Sequence, residues 1–166
     1  MSGHEISHSV DRTGAGFDAQ GRLANWGTDD DQKHFKEAGQ RLVEQFNAYE
    51  PLPGLHVNGQ QTLGENIADV SGLAIAYAAY QNSLGGKPAP VIDGPSGDQR
   101  FFLAFAQSWR TKTRDAALRQ QVIGDGHAPG PFRAQTVRNL DPWYDALKAQ
   151  PGQKLYLDPK QRVRIW

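Results

Sequence analysis

Apolar residues recur at three- and four-residue spacing along two long stretches of the chain. In the first, Phe35, Ala38, Leu42, Val43 and Phe46 trace a stripe on a helix running from Thr28 to about Tyr49. Thr28 supplies a capping oxygen, and Asp29, Asp30 and Asp31 put negative charge at the positive end of the helix dipole. Pro51, Pro53 and Gly54 end it. The second stretch, TLGENIADVSGLAIAYAAYQ, starts near Thr62. Leu63, Ile67, Val70, Leu73, Ala74 and Tyr77 form one broad apolar face there, and its many small residues let other helices pack close. A third helix is predicted from Ser96 and Asp98, aromatic on one side through Phe101, Phe102, Phe105 and Trp109, most simply as core. Shorter helices are predicted over 115–122 and 142–149. The Gly- and Pro-rich stretch from Ser83 to Pro95 reads as a loop, and so does Asp125 to Arg133, whose Pro and Gly argue against helix. Gly14, Gly16 and Gly21 mark a turn-rich connection to Asn25-Trp26-Gly27. Short strands are expected only near Asn25 and the C-terminus. The pattern predicts one mainly α domain over residues 1–166, with no internal repeat.

Several polar residues interrupt this pattern. Glu65 and Asp69 lie one turn apart on the helix that otherwise reads as buried, and like charges in an interior are costly unless something positive meets them. A metal ion with its histidines answers that need; an exposed helix start, where the dipole favours acids, answers it equally. His4-Glu5-Ile6-Ser7-His8 reads H-E-x-x-H, which places two imidazoles on one helical face, as in zinc peptidase sites. Glu5 then stands where a general base for water is needed. The same five residues also suit a polar helix with two solvated histidines. Ser9-Val10-Asp11 is expected to continue this helix, with Asp11 either orienting His8 or simply solvated. In the loop Asp125-Gly126-His127-Ala128-Pro129-Gly130-Pro131-Phe132-Arg133, an imidazole and a guanidinium suit an oxyanion and a substrate carbonyl; an ordinary polar loop fits the segment too. His34 and His56 have no ligand spacing and are expected in solvent.

Composition narrows the chemistry. The 166 residues suffice for one domain with a core. Eighteen basic residues balance eighteen acidic ones, which argues against nucleic-acid or membrane partners. No cysteine is present, so a zinc site would use His and carboxylate ligands. No apolar run approaches transmembrane length, and no signal peptide precedes the first motif.

HEISH with its following Asp, then GENIAD, FFLAFAQSW, DGHAPGPFR and a terminal RVRIW occur in this order along nearly the whole chain. In these motifs the chain resembles the neprilysin family of zinc metallopeptidases. The resemblance implies the C-terminal subdomain of a thermolysin-like zincin catalytic domain, helical with few short strands. It implies one zinc ion per chain held by His4, His8 and Glu65, with Glu5 as general base and then proton donor to the leaving amine. Asp69 would hold a ligand histidine through its second nitrogen. His127, oriented by Asp125, would donate to the oxyanion, Arg133 would bind a substrate backbone carbonyl, and Trp109 would line the pocket for the side chain after the scissile bond. The implied activity is endopeptidase cleavage of small peptides on the amino side of hydrophobic residues. Family members are often secreted, periplasmic or membrane-anchored; this sequence itself points to no compartment.

The sequence departs from the family pattern in three places. Only Met1-Ser2-Gly3 precede HEISH, so a substrate-binding strand and earlier helical turns, and the large helical domain over the cleft, are expected to lie outside it. Ser9 and Ser108 stand where a glycine and an apolar pocket residue are usual. The lack of cysteine fits bacterial members best. An apolar exposed face, self-association and weak turnover are expected to follow. The alternative is a non-catalytic fragment that binds zinc or peptide and needs a partner segment.

Overall fold

The longest helix spans Leu63–Ser83, and the rest of the chain is arranged around its first half. The computed structural model describes residues 1–24 and 27–166. In chain order its α-helices are α1 (Ser2–Ser7), α2 (Asp29–Asn47), α3 (Leu63–Ser83), α4 (Gly97–Ser108), α5 (Asp115–Gly124), α6 (Gly130–Arg133) and α7 (Asp141–Leu147). Among the described residues only two isolated bridges, Phe17 with Leu23 and Leu52 with Leu55, have β character. The mainly helical class expected from the apolar spacing is therefore observed. The C-terminal residues form no strand; the expectation at Asn25 lies outside the described residues.

Local chemistry explains where the long helices start. Thr28 and Asp31 form a reciprocal capping box on α2, and Ser96 and Gln99 form another on α4. α2 buries Ala38, Leu42, Val43 and Phe46 against Leu63, Ile67 and Val70 of α3, joined by Ala128, Val163 and Ile165. A second apolar cluster joins Leu73 to Phe102, Val137, Leu140, Trp143 and Tyr144. Lys148, in the left-handed region at φ 55°, ends α7.

Three expectations are corrected. The first helix stops at Ser7 instead of running through Asp11. Asp11 Oδ1 accepts from the amides of Thr13 (2.8 Å) and Gly14 (2.9 Å), so the backbone turns where a helix would have continued. The segment Asp125–Arg133 is not loop throughout, because Gly130–Arg133 forms a helical turn. Pro131 is tolerated in it because a first-turn N–H has no helical partner to lose. Ala74, assigned to the buried face of α3, is exposed.

α1 lies directly on α3. A Cβ on Gly3 would sit 2.7 Å from the Gly72 carbonyl oxygen, and one on Gly72 would sit 2.5 Å from the His4 nitrogen. Two glycines therefore let the backbones touch, which brings the first turn of α1 within side-chain reach of Glu65 and Asp69.

Candidate metal centre

Three donor groups from two helices meet above the first turns of α3. His4 Nε2 and His8 Nε2 lie 3.2 Å apart. Glu65 Oε2 is 3.3 Å from His4 Nε2, and Glu65 Oε1 is 3.5 Å from His8 Nε2. The rest of the network sets the protonation of these atoms. His4 Nδ1 lies 2.9 Å from Asp69 Oδ1, and His8 Nδ1 lies 2.6 Å from Asp11 Oδ2. A carboxylate can only accept, so each Nδ1 carries the hydrogen and each neutral ring turns an Nε2 lone pair inward. Two lone pairs and a carboxylate at these separations repel one another unless a cation lies between them.

The donor set fits zinc. A four-coordinate ion with ligands at about 2.0 Å separates neighbouring donors by about 3.3 Å, which the observed spacing matches. His4, His8 and Glu65 form a cluster whose ligand atoms all lie within 4.8 Å of one another. Glu65 Oε2 is buried and makes no well-formed hydrogen bond, although nitrogens of His4, His127 and Arg133 approach to 3.3, 3.1 and 3.5 Å. Those approaches are close in distance and poor in direction. An acceptor left over in this way suits a metal ion.

The surrounding carboxylates tune the ring nitrogens. The hydrogen bond that His4 Nδ1 donates to Asp69 raises the pKa of His4 against the opposing effect of burial, which makes it a stronger base. Burial works against the charge on Asp11, but the Gly14 amide, the His8 ring and the Thr13 amide outweigh it and hold its carboxyl below the ordinary range. Asp69 is also shared. Arg133 donates to it through Nε (2.7 Å to Oδ2) and Nη2 (2.9 Å to Oδ1), so one acid fixes both a histidine and a guanidinium.

The remaining residues singled out in the sequence surround this cluster. Glu5 is exposed, and its carboxylate has no hydrogen bond or ion pair among the described residues. His127 Nδ1 donates to Asp125 Oδ1 at 2.7 Å, and its Nε2 faces Glu65. The ring's bond to Asp125, with its backbone amide in support, keeps that acid's pKa low. The Arg133 guanidinium stacks 4.1 Å from the Trp109 ring, and its Nη1 makes no protein hydrogen bond among the described residues. Asn66 is fully buried; its Nδ2 donates to Thr62 Oγ1 at 2.9 Å while its Oδ1 is unpaired. His34 and His56 are exposed and apart from the cluster.

Sequence reasoning missed the Asp69–Arg133 pair. Its signal was present in two parts, an acid on a buried helix face and an arginine in a short segment rich in Pro and Gly. Nothing periodic connects residues 64 positions apart.

Comparison with known proteins follows the same outline. Residues 1–163 match the profile of peptidase family M13. The chain is 37% identical to a neutral endopeptidase of Lactobacillus helveticus, over 99% of its own length and 24% of that protein's. It is 37% identical to Homo sapiens neprilysin over 99% of its own length and 22% of that protein's. The fold superposes on the inhibitor-bound zinc metalloprotease ZMP1 of Mycobacterium tuberculosis with a TM-score of 0.96 and 48% identity, covering 99% of this chain and 26% of that one. The chain thus spans about a quarter of the length of the relatives it matches.

Proposed function

This chain belongs to peptidase family M13, the neprilysin-like peptidases, and on that premise we propose that it forms the zinc-bearing, C-terminal part of a metalloendopeptidase catalytic domain. The observation that carries this reading is the convergence of His4, His8 and Glu65 with a buried Glu65 oxygen unpaired. His4, His8 and Glu65 hold the ion. Zinc, when bound, supplies Lewis acidity to a peptide carbonyl and to a water molecule.

The chain's own side chains supply the proton transfers. Glu5, exposed beside His4, takes a proton from water as the water oxygen bonds to the carbonyl carbon. It then delivers that proton to the peptide nitrogen as the C–N bond breaks. As the imidazolium, with its Nδ1–H held by Asp125, His127 donates through Nε2–H to the oxygen that becomes negative. Asp69 keeps the His4 lone pair aimed inward and at the same time neutralises Arg133. The Nη1 group of Arg133 offers a donor to a substrate backbone carbonyl, and the Trp109 indole an apolar wall for the residue after the cleaved bond. Small peptides with hydrophobic side chains at that position are the substrates this arrangement suits.

The test measures zinc per chain and cleavage of a quenched hydrophobic peptide by the wild type and Glu5→Gln. One zinc per chain with cleavage lost in Glu5→Gln supports the proposal. Absence of zinc binding at micromolar metal refutes it. Zinc uptake with no cleavage above the Glu5→Gln level selects binding without turnover, a reading favoured by the unsupported, exposed position of Glu5.

A further inference from the structure

The segment that carries His127 is the least enclosed part of the centre. Residues 123–127 are all exposed, between buried Val122 and Ala128. A Cβ on Gly124 or Gly126 would meet nothing within 4 Å, so no neighbouring element packs against the segment at those positions. The bonds that the His127 ring (2.7 Å) and backbone amide (2.9 Å) donate to Asp125 Oδ1 hold His127 to its own segment, not to the rest of the molecule. Two side chains from the α3 region reach across. One is Glu65, 3.1 Å from His127 Nε2. The other is Gln61, whose Nε2 donates to the carbonyl of Asp125 at 2.7 Å and more distantly to that of Ile123 at 3.4 Å.

Gln61 is itself fixed. Its backbone N–H donates to Asn58 Oδ1 at 3.0 Å, and the next residue, Thr62, is buried and bonds the Asn58 carbonyl through both its backbone N–H and its hydroxyl. Glu65, by contrast, is committed to the metal in the peptidase reading, so its carboxylate is not available to secure His127. We propose that Gln61 is a positioning residue, a tether that fixes the Asp125–His127 segment to the start of α3 and so sets the distance between the His127 ring and the metal centre. This rests on the peptidase reading for its consequence in turnover, but not for the tether itself. Both partners are carbonyl oxygens, so the tether requires a donor at position 61.

Backbone amide order parameters from NMR on the zinc-loaded chain test it. Gln61→Glu keeps the size and presents only acceptors to the two carbonyls, whereas Gln61→Lys keeps a donor. Order parameters over 124–127 are expected near about 0.85 in the wild type and the Lys variant and below about 0.6 in the Glu variant. Amides over 66–73 and zinc affinity stay unchanged in all three. Where turnover is measurable, Gln61→Glu lowers kcat between about tenfold and a hundredfold and leaves KM in place. Unchanged order over 124–127 in Gln61→Glu overturns the tether. Equal loosening of α3 also overturns it, by making Gln61 a general support of the helix. Failure to take up zinc instead refutes the peptidase reading. The tether is then read in the metal-free chain carrying Glu65→Ala, where the second contact is gone and the same contrast decides.

Discussion

The two halves of α3 invert the usual rule for a helix. Its first half, residues 63–73, carries Glu65, Asn66 and Asp69 and is almost entirely buried or half-buried. Its second half carries Ala74, Ile75, Ala76, Ala78 and Ala79, all exposed. Hydropathy alone would place them the other way round. What decides is the company each half keeps. α1 reaches the first half through the Gly3–Gly72 contact and brings His4 and His8, α6 brings Arg133, and α2 brings an apolar stripe. Asp69 is tolerated inside because the Arg133 guanidinium and the His4 Nδ1–H both donate to it, and the same guanidinium stands 3.5 Å from Glu65. On the second half, aromatic neighbours Phe101 and Phe102 pack on Tyr77 and leave the alanines uncovered.

The largest effect should come from reversing charge and apolarity between the halves. Asp69 is 3% exposed and Arg133 10%, so Asp69→Ala leaves a buried guanidinium whose nearest remaining acid, Glu65, stands 3.5 Å away. A loss of about 3–5 kcal/mol in urea unfolding is expected. Placing a charge on the other half, Ala76→Glu, should change stability by no more than about 0.5 kcal/mol. Similar costs for the two would show that the halves are not differently enclosed.

Equal truncations sharpen the same contrast. Ile67 is 0% exposed and Ile75 is 48%. Ile67→Ala removes buried methyl groups between α2 and α3 and is expected to cost about 2–5 kcal/mol. Ile75→Ala should fall within about 0.5 kcal/mol of the wild type. Thermal unfolding of the two variants side by side measures the difference.

Much of this contrast could be read from residues in sequence, and the part that could not has physical causes. α2 and α4 were legible because their caps are local: Thr28 with Asp31, and Ser96 with the turn that follows. H-E-x-x-H and the Glu65–Asp69 spacing put the polar positions on single helical faces, and the requirement that buried acids find positive partners pointed towards His4 and His8. Arg133 as the second partner of Asp69 was hidden, because the pairing is set by how the chain returns over α3 and by no periodicity. The end of α1 was hidden because Asp11 competes for two amides. The exposure of Ala74, Ala76, Ala78 and Ala79 was hidden because alanine spacing reads the same whether or not a neighbour covers it.

Metal tests the enclosed half independently of mutation. Zinc at about 100 times its Kd should stabilise the chain by about 2.7 kcal/mol, seen as a rise in melting temperature that a chelator reverses. His8→Ala should remove most of that rise, since it deletes one of the three donors. Ile75→Ala should keep all of it. A zinc response that survives in His8→Ala would place the metal elsewhere.

The smallest effect expected lies beside the open half, where Asp141 and Arg164 help line an apolar groove with Ala74, Ile75 and Ala78. The hydrogen bond from Arg162 holds the Asp141 carboxyl below its ordinary value of 3.8; burial opposes this, and Arg164 adds to it. A carboxyl with a depressed folded-state pKa binds its proton less readily when folded than when unfolded. Its contribution to stability is therefore present above the unfolded value and disappears as pH falls through the lower, folded one. The loss belongs below about pH 4 and leaves neutral pH untouched. Solvent screens the pair, because Asp141 is 41% exposed, so the contribution is expected to stay below about 1 kcal/mol. Asp141→Asn should lower stability slightly at pH 7 and flatten the acid limb, so that its unfolding curve meets that of the wild type once the pH lies below the folded-state pKa of Asp141. Two parallel curves with a constant gap down to acid pH would show that the substitution acts through packing in the groove and not through charge.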